Sequence, residues 1–180
     1  NGLTIGMIYA LIALGYTMVY GIVQLINFAH GEVFMVGAYL GLVGYSLFHG
    51  FFPAPEHEIV LAAILFVFVM PCTALLGVLI ERFAYRPLRS APRLAPLITA
   101  IGVSFLLQNI VMLIFGPSDK PFPPVLAVKN YSVGEAAVTN LQILIAAVSI
   151  LLMAGLHYFV QKTRIGKAMR ALADDQGAAS

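Results

Sequence analysis

Residues 59–70 read Ile59-Val-Leu-Ala-Ala-Ile-Leu-Phe-Val-Phe-Val-Met70, a stretch that is apolar on every face. A strand of a transmembrane barrel alternates polar and apolar side chains, whereas a helix that is apolar all round lies in lipid or in a wholly apolar interior. No charged residue occurs from 59 to 80, and about 20 residues suffice for a helix to cross a ~30 Å hydrocarbon core. This stretch therefore predicts a membrane-spanning helix.

The rest of the 180-residue chain repeats this pattern. Hydrophobic residues make up 61% of the chain and charged residues 10%, whereas a soluble domain has about 25% charged residues. A chain of this length cannot bury so much apolar surface in a core of its own. Charged residues are absent from five long stretches, at 1–31, 33–55, 59–80, 94–118 and 136–161. The sequence therefore predicts an all-α polytopic membrane protein with five transmembrane segments.

The five predicted segments are separated by polar or proline-rich stretches. The second segment is short, so residues 24–32 are interpreted either as a turn between two crossings or as the unwound middle of one broken helix. Pro71 should kink the third segment, because proline removes a backbone donor. The predicted segments are 2–23, 32–48, 59–80, 94–115 and 141–160.

The basic residues predict the orientation, because Lys and Arg accumulate in cytoplasmic loops. Eight of the ten lie in residues 82–93 and 162–170, which are separated by two segments and can therefore face the same side. Residues 49–58 contain no Lys or Arg, and residues 116–140 contain only two Lys. We therefore predict that 82–93 and 162–180 are cytoplasmic and that 49–58 and 116–140 lie on the opposite side.

Sequence motifs for catalysis are missing. Gly166-Lys167 is followed by Ala168, and Gln161 stands where a P-loop requires Gly. The four His residues show no metal-ligand spacing, and there is no Gly-x-Ser-x-Gly nucleophile motif. A net charge of +2 gives no reason to expect a nucleic-acid partner. We therefore expect no enzymatic activity, no cofactor and no metal site.

The densest polar cluster between apolar stretches is Asn27-Phe-Ala-His-Gly-Glu32. In one interpretation it is an ordinary turn, with Glu32 in the first turn of a helix, where its charge complements the helix dipole. In the other it is irregular backbone at membrane depth, which is tolerated where it lines a cavity. The second interpretation gives these candidate pathway residues: Asn27, Phe28, His30, Gly31, Glu32 and Phe34.

The amides of Gln108 and Asn109 interrupt the fourth segment. Polar side chains within a membrane helix are costly unless they are paired. They are therefore either functional residues or partners in hydrogen bonds between helices.

Several motifs together resemble a known family. They are Leu25-Ile-Asn-Phe-Ala-His-Gly-Glu-Val33, Gly37-Ala-Tyr39, Glu81-Arg-Phe-Ala-Tyr-Arg-Pro-Leu-Arg89 and Ile98-Thr-Ala-Ile-Gly-Val-Ser-Phe-Leu-Leu-Gln-Asn109. In this order they resemble the LivH-type permease subunit of branched-chain amino acid ABC importers, over nearly the whole chain. Related permeases for urea and short amides share the Asn-x-Ala-His-Gly-Glu element. The Glu-Arg-x-Ala-Tyr-Arg-Pro element favours amino acids.

The resemblance implies a multi-pass permease in a bacterial inner membrane. Its implied partners are a second permease subunit, two cytoplasmic ATPase subunits, and a periplasmic binding protein that delivers leucine, isoleucine or valine, with membrane lipid around the helices. Two alternatives remain, a permease for urea or short amides and a structural or assembly protein without a solute pathway. Because the sequence lacks an initiator Met and stops at Ser180, we expect a fragment of a larger protein, with residues 1–180 forming one transmembrane permease domain and further C-terminal spans missing.

The tail at 161–180 also resembles the family, namely the cytoplasmic segment that docks on the ATPase. The resemblance, together with basic and small side chains suited to a protein contact, gives the candidate coupling residues Arg164, Gly166, Ala168, Arg170, Ala171 and Asp174. We expect a short helix here, with Gly166 allowing the chain to turn out of the fifth segment. The alternative is a solvated helix beside the membrane, whose cations lie near anionic headgroups.

Overall fold

The computed structural model of the chain describes residues 2–23, 27–52, 57–88, 91–92, 94–133 and 136–174. The predicted all-α class is confirmed, because five of its helices are long and apolar enough to cross a membrane. The helices are α1 (Gly2–Val23), α2 (His30–Phe48), α3 (Glu58–Ile80), α4 (Leu94–Phe115), α5 (Asn140–Lys162) and α6 (Arg164–Asp174). Two short strands, β1 (Asn130–Val133) and β2 (Ala136–Thr139), precede α5.

The chain forms two compact units. One consists of residues 1–27 and 128–180, and the other of residues 28–127. In the first unit α1, α5 and α6 contact one another, and the hairpin of β1 and β2 leads into α5. In the second unit α2 packs against both α3 and α4.

Glycines of α2 allow its close approach to α3. A Cβ atom on Gly37 would lie 3.1 Å from Cγ2 of Thr73, and one on Gly44 would lie 2.9 Å from Cδ2 of Leu65. Such small residues let two membrane helices pack closely. Gly37 and Gly44 therefore admit α3 at close range, whereas Gly41 packs against the phenyl ring of Phe122, from the segment that follows α4.

Small residues of α1 have no such neighbour among the described residues. Gly2 and Gly6 lie four positions apart on the helix, and no described atom lies within 4 Å of a Cβ built on either glycine. Spacing shows that small side chains share a face, but it does not show that another helix covers that face.

Large apolar side chains cover the outside of the helices. Val67 on α3 is 70% exposed, Leu113 on α4 is 82% exposed and Leu151 on α5 is 71% exposed. In water such faces would drive aggregation, whereas hydrocarbon solvates them at no cost. The protein is therefore built for lipid on its outside, as expected of a multi-pass membrane protein.

Helical structure extends further after α3 than the sequence indicated. Residues 81–93 were predicted to be a loop, yet Glu81–Tyr85 form a π-helical turn and Arg86–Leu88 a 3₁₀ turn that together continue α3. Charged side chains end an apolar stretch, but they do not end a helix, because long side chains reach the aqueous interface from its last turns. The helix also continues through Pro71. Residues 89, 90 and 93 lie outside the described part of the chain.

The hairpin before α5 was also unexpected. β1 and β2 pair antiparallel, with Asn130 opposite Thr139, in a region that was predicted to be a loop. Thr139 then caps α5 in a capping box: its Oγ1 accepts from the backbone N–H of Gln142 at 3.2 Å, and its own N–H donates to Oε1 of Gln142 at 3.0 Å. This cap fixes the start of α5 at Asn140, one residue before the predicted start.

Candidate functional site

The predicted polar cluster spans the start of α2, with its first three residues before the helix and its last three in the first turn. α1 ends at Val23 and α2 begins at His30, with Ala29 as its N-cap residue. Each helix is long enough to cross a membrane by itself. The choice between a connection of two crossings and a single broken helix therefore stays a prediction. Gln24, Leu25 and Ile26 lie outside the described residues.

The predicted pathway residues do not all fall in one unit. Asn27 belongs to the first unit, whereas Phe28, His30, Gly31, Glu32 and Phe34 belong to the second. His30 and Glu32 are half-buried in the first turn of α2, and the rings of Phe28 and Phe34 are exposed. Within the second unit, therefore, His30 and Glu32 are partly covered and the two phenylalanines form part of the surface.

Glu32 is joined to α4 by a hydrogen bond. Nε2 of Gln108 donates to Oε1 of Glu32 at 2.7 Å, across 76 positions of sequence. The other carboxylate oxygen, Oε2, is shielded from solvent and has no hydrogen-bond partner among the described residues. A carboxylate in a low-dielectric environment is costly unless another group compensates it. Glu32 is therefore held in place on one side and is unsatisfied on the other.

The two amides of α4 have different partners. Nδ2 of Asn109 donates to the carbonyl oxygen of Phe105 at 2.7 Å, which is one turn earlier in the same helix. Of the two amides, therefore, Gln108 hydrogen-bonds across to α2 and Asn109 bonds within α4 among the described residues, so the interpretation as an interhelical partner is confirmed for Gln108. The sequence showed that each amide needed a partner, but it could not match Gln108 with Glu32.

At the other candidate site, the end of α5, the chain turns sharply into α6. Thr163 has extended backbone geometry, with φ −85° and ψ 159°, and separates the two helices. Its Oγ1 donates to the carbonyl oxygen of Phe159 at 2.6 Å and accepts from the N–H of Gly166 at 3.0 Å. Thr163 therefore closes α5 and caps α6. We call residues 159–170 the elbow.

Gly166 has a different role from the one predicted. It was expected to make the turn, but Thr163 makes the turn and Gly166 lies inside α6. A Cβ atom on Gly166 would overlap the carbonyl oxygen of Val160 and would lie 2.5 Å from that of Phe159. Gly166 is therefore required because α6 crosses the end of α5 at backbone contact distance.

The guanidinium group of Arg170 is bonded within the elbow. Its Nη1 donates to Oε1 of Gln161 at 2.5 Å, and its Nη2 donates to the carbonyl oxygen of Gln161 at 3.3 Å. Arg170 on α6 thus hydrogen-bonds to both the side chain and the backbone of Gln161 in the last turn of α5. In the sequence, Arg170 is one of several basic residues of the tail, and no motif indicates Gln161 as its partner.

The remaining predicted coupling residues share the outward face of α6. Positions 164, 168 and 171 lie on one face of a helix, with position 167 beside them. Arg164, Lys167, Ala168 and Ala171 are all exposed, whereas Gly166 is buried and Arg170 half-buried. Asp174 ends α6, and its side chain is outside the described part of the chain. The outward face therefore combines cations with small side chains.

The described residues hold no group of three or more His, Cys, Asp or Glu side chains that could bind a metal ion.

The chain is similar in sequence to known membrane transport proteins. The family described as "Branched-chain amino acid transport system / permease component" matches residues 1–180. A permease protein of Pseudomonas aeruginosa named BraD, of a high-affinity branched-chain amino acid transport system, is 46% identical over 180 residues, covering 97% of this chain and 58% of its own length. The corresponding LivH proteins of Salmonella typhimurium and Escherichia coli K12 are each 41% identical, covering 100% of this chain and 59% of their own length. No solved structure matches the chain significantly.

The chain thus spans about three fifths of the length of these relatives. The family match extends over every residue of this chain, including both candidate sites. The chain therefore belongs to the family of permease components of branched-chain amino acid transport systems.

Proposed function

We propose that the protein is the membrane-spanning permease subunit of an ABC importer that carries leucine, isoleucine and valine across a bacterial inner membrane. The observation that carries this proposal is 41–46% identity, over all or nearly all of the chain, to permeases named for branched-chain amino acid transport. Five apolar helices supply the membrane-spanning part. This subunit forms the path, and separate subunits hydrolyse ATP.

The translocation path runs beside Asn27–Glu32. A branched-chain amino acid combines an aliphatic side chain with a zwitterionic end. The exposed rings of Phe28 and Phe34 suit the aliphatic part. The carboxylate of Glu32, fixed on one side by Gln108 and unpartnered on the other among the described residues, suits the ammonium group.

The implied partners are a second permease subunit, two cytoplasmic ATPase subunits and a periplasmic binding protein. The outward face of α6 supports a protein contact on the cytoplasmic side. Arg164 and Lys167 are exposed cations, and the exposed Ala168 and Ala171 that follow them on α6 leave room for a partner surface. Arginine makes multidentate hydrogen bonds to carboxylates, so an acidic groove on the ATPase fits this face.

The substrate class can be tested by uptake. Cells that lack their own branched-chain amino acid importers and produce the full-length permease with its partners should accumulate labelled leucine. Uptake should be competed by isoleucine and valine but not by urea or acetamide, because neither has the aliphatic side chain that the phenyl rings would contact. Competition by urea or acetamide, or uptake of either in place of leucine, would show an amide permease instead. Absence of any solute uptake by an assembled complex would favour a structural protein.

The membrane orientation predicts which positions are reached by a reagent from outside the cell. Single cysteines at position 89 or 130, in a Cys72→Ala background, should differ when whole cells with a permeabilised outer membrane receive an impermeant maleimide. Asn130→Cys should be labelled, because it lies in the predicted periplasmic region. Arg89→Cys should be spared until the inner membrane is broken. The reverse pattern would overturn the orientation inferred from the basic residues.

A further inference from the structure

The elbow contains an arginine whose hydrogen bonds are made within the chain. Arg170 lies on α6, and its guanidinium group donates to Oε1 and to the carbonyl oxygen of Gln161, near the end of α5. The exposed cations Arg164 and Lys167 lie on the outward face, whereas Arg170 is half-buried. One helix therefore carries basic residues of two kinds, two that face outward and one that faces α5.

The bonds of Arg170 add a restraint to the elbow farther along α6 than those at its turn. At the turn, Thr163 bonds to both helices through its hydroxyl group and through its backbone N–H and carbonyl groups. Gly166 permits close approach without itself holding the helices together. Arg170 lies one further turn along α6, so its bond to Gln161 restrains the angle between α5 and α6. A guanidinium group suits this role, because its planar fork can hold two acceptors at once.

We propose that Arg170 and Gln161 form a latch that fixes the angle of α6 on α5, and that Arg170 is a positioning residue for coupling to ATP hydrolysis. The inference rests on the proposed function of α6 as the segment that contacts the ATPase. Arg170 contributes to coupling through Gln161, whereas Arg164 and Lys167 contact the partner directly. A latch of this kind lets movement of the ATPase reach α5 without being absorbed by bending at Thr163.

Substitution of Gln161 separates the latch from a direct contact between Arg170 and the ATPase. The full-length permease is reconstituted with its partners in proteoliposomes, and leucine uptake is measured per ATP hydrolysed. Gln161→Ala removes the shorter of the two bonds, to Oε1, and keeps the longer one to the backbone carbonyl oxygen. It should lower the ratio about tenfold, since a hydrogen bond to a charged group is worth roughly that factor, whereas Gln161→Glu should keep the ratio, because a carboxylate accepts the same fork. If Arg170 instead acted by binding the ATPase directly, Gln161→Ala would leave the ratio unchanged.

A matched variant on the outward face tests the proposed function separately. Arg164→Gln combined with Lys167→Gln should reduce copurification of the ATPase subunits, because it removes the exposed cations. Gln161→Ala should leave copurification near the unsubstituted level while the uptake ratio falls. If the outward-face variant alters neither copurification nor uptake, the proposed contact of α6 fails. If the outward-face variant lowers copurification but Gln161→Ala leaves the uptake per ATP hydrolysed unchanged, the proposed latch is wrong and the proposed contact of α6 is supported.

Discussion

Gly166→Ala is expected to lower the transport activity of the assembled permease by at least about tenfold. The added methyl group would overlap the carbonyl oxygen of Val160 and lie 2.5 Å from that of Phe159. Both atoms belong to the backbone of α5, so no side-chain rotation relieves the overlap. Overpacking of this kind costs about 1–3 kcal/mol or more, and α6 must move away from α5 to avoid it.

Two measurements accompany this substitution, leucine uptake in vesicles and the melting temperature of the purified protein. Gly155→Ala is the matched control, since Gly155 lies on α5 of the same unit and no atom of the described residues lies within 4 Å of a Cβ built on it. The control should keep full uptake, because alanine favours a helix over glycine by up to about 1 kcal/mol. Equal uptake and equal melting temperature for both variants would contradict the backbone contact in the elbow.

The helices were predictable because their signal is local. Each charge-free stretch is long enough to cross a membrane, and this requires no knowledge of what each helix contacts. The ends were less predictable. α3 continues through Glu81 and Arg86, because a helix can carry charges once it leaves the hydrocarbon region. The capping box of Thr139 and Gln142 was a readable signal, and it would have placed the start of α5 correctly.

The contacts within the candidate sites depend on tertiary structure. Glu32 and Gln108 are 76 positions apart, so composition shows that each needs a partner but not that they pair. Arg170 resembles the other basic residues of the tail until the turn at Thr163 fixes the rotation of α6. That rotation directs Arg170 toward Gln161 and leaves Arg164 outside. Sequence alone could therefore propose the coupling segment but not divide it into anchoring and outward-facing residues.

Glu32→Gln is expected to reduce leucine uptake by roughly 10- to 100-fold while the complex still assembles. The glutamine keeps a carbonyl oxygen that can accept from Nε2 of Gln108, so the link between α2 and α4 survives. The negative charge is lost, and with it the opposite charge for a substrate ammonium group. A hydrogen bond to a charged group is worth about 1.5–3 kcal/mol, which sets the size of the expected effect.

Gln108→Leu should reduce the amount of folded permease rather than act on transport alone. It leaves both oxygens of Glu32 without a partner among the described residues, because Oε2 already has none. An unpaired carboxylate in a low-dielectric environment is strongly destabilising, so the amount of folded permease in the membrane should fall. Asn109→Leu is the control. Among the described hydrogen bonds, Asn109 bonds only to the backbone of its own helix, so its replacement leaves no charged group without a partner.

The double variant Glu32→Leu with Gln108→Leu separates structure from transport. Replacing both partners of a hydrogen bond by apolar groups costs far less than removing one, so assembly should recover relative to Gln108→Leu. Uptake should stay low, because the charge is still missing. If Glu32→Gln or the double variant transported leucine at the full rate, the carboxylate would be only a structural tie between α2 and α4. Recovery of assembly without recovery of uptake would instead assign the charge of Glu32 to the solute.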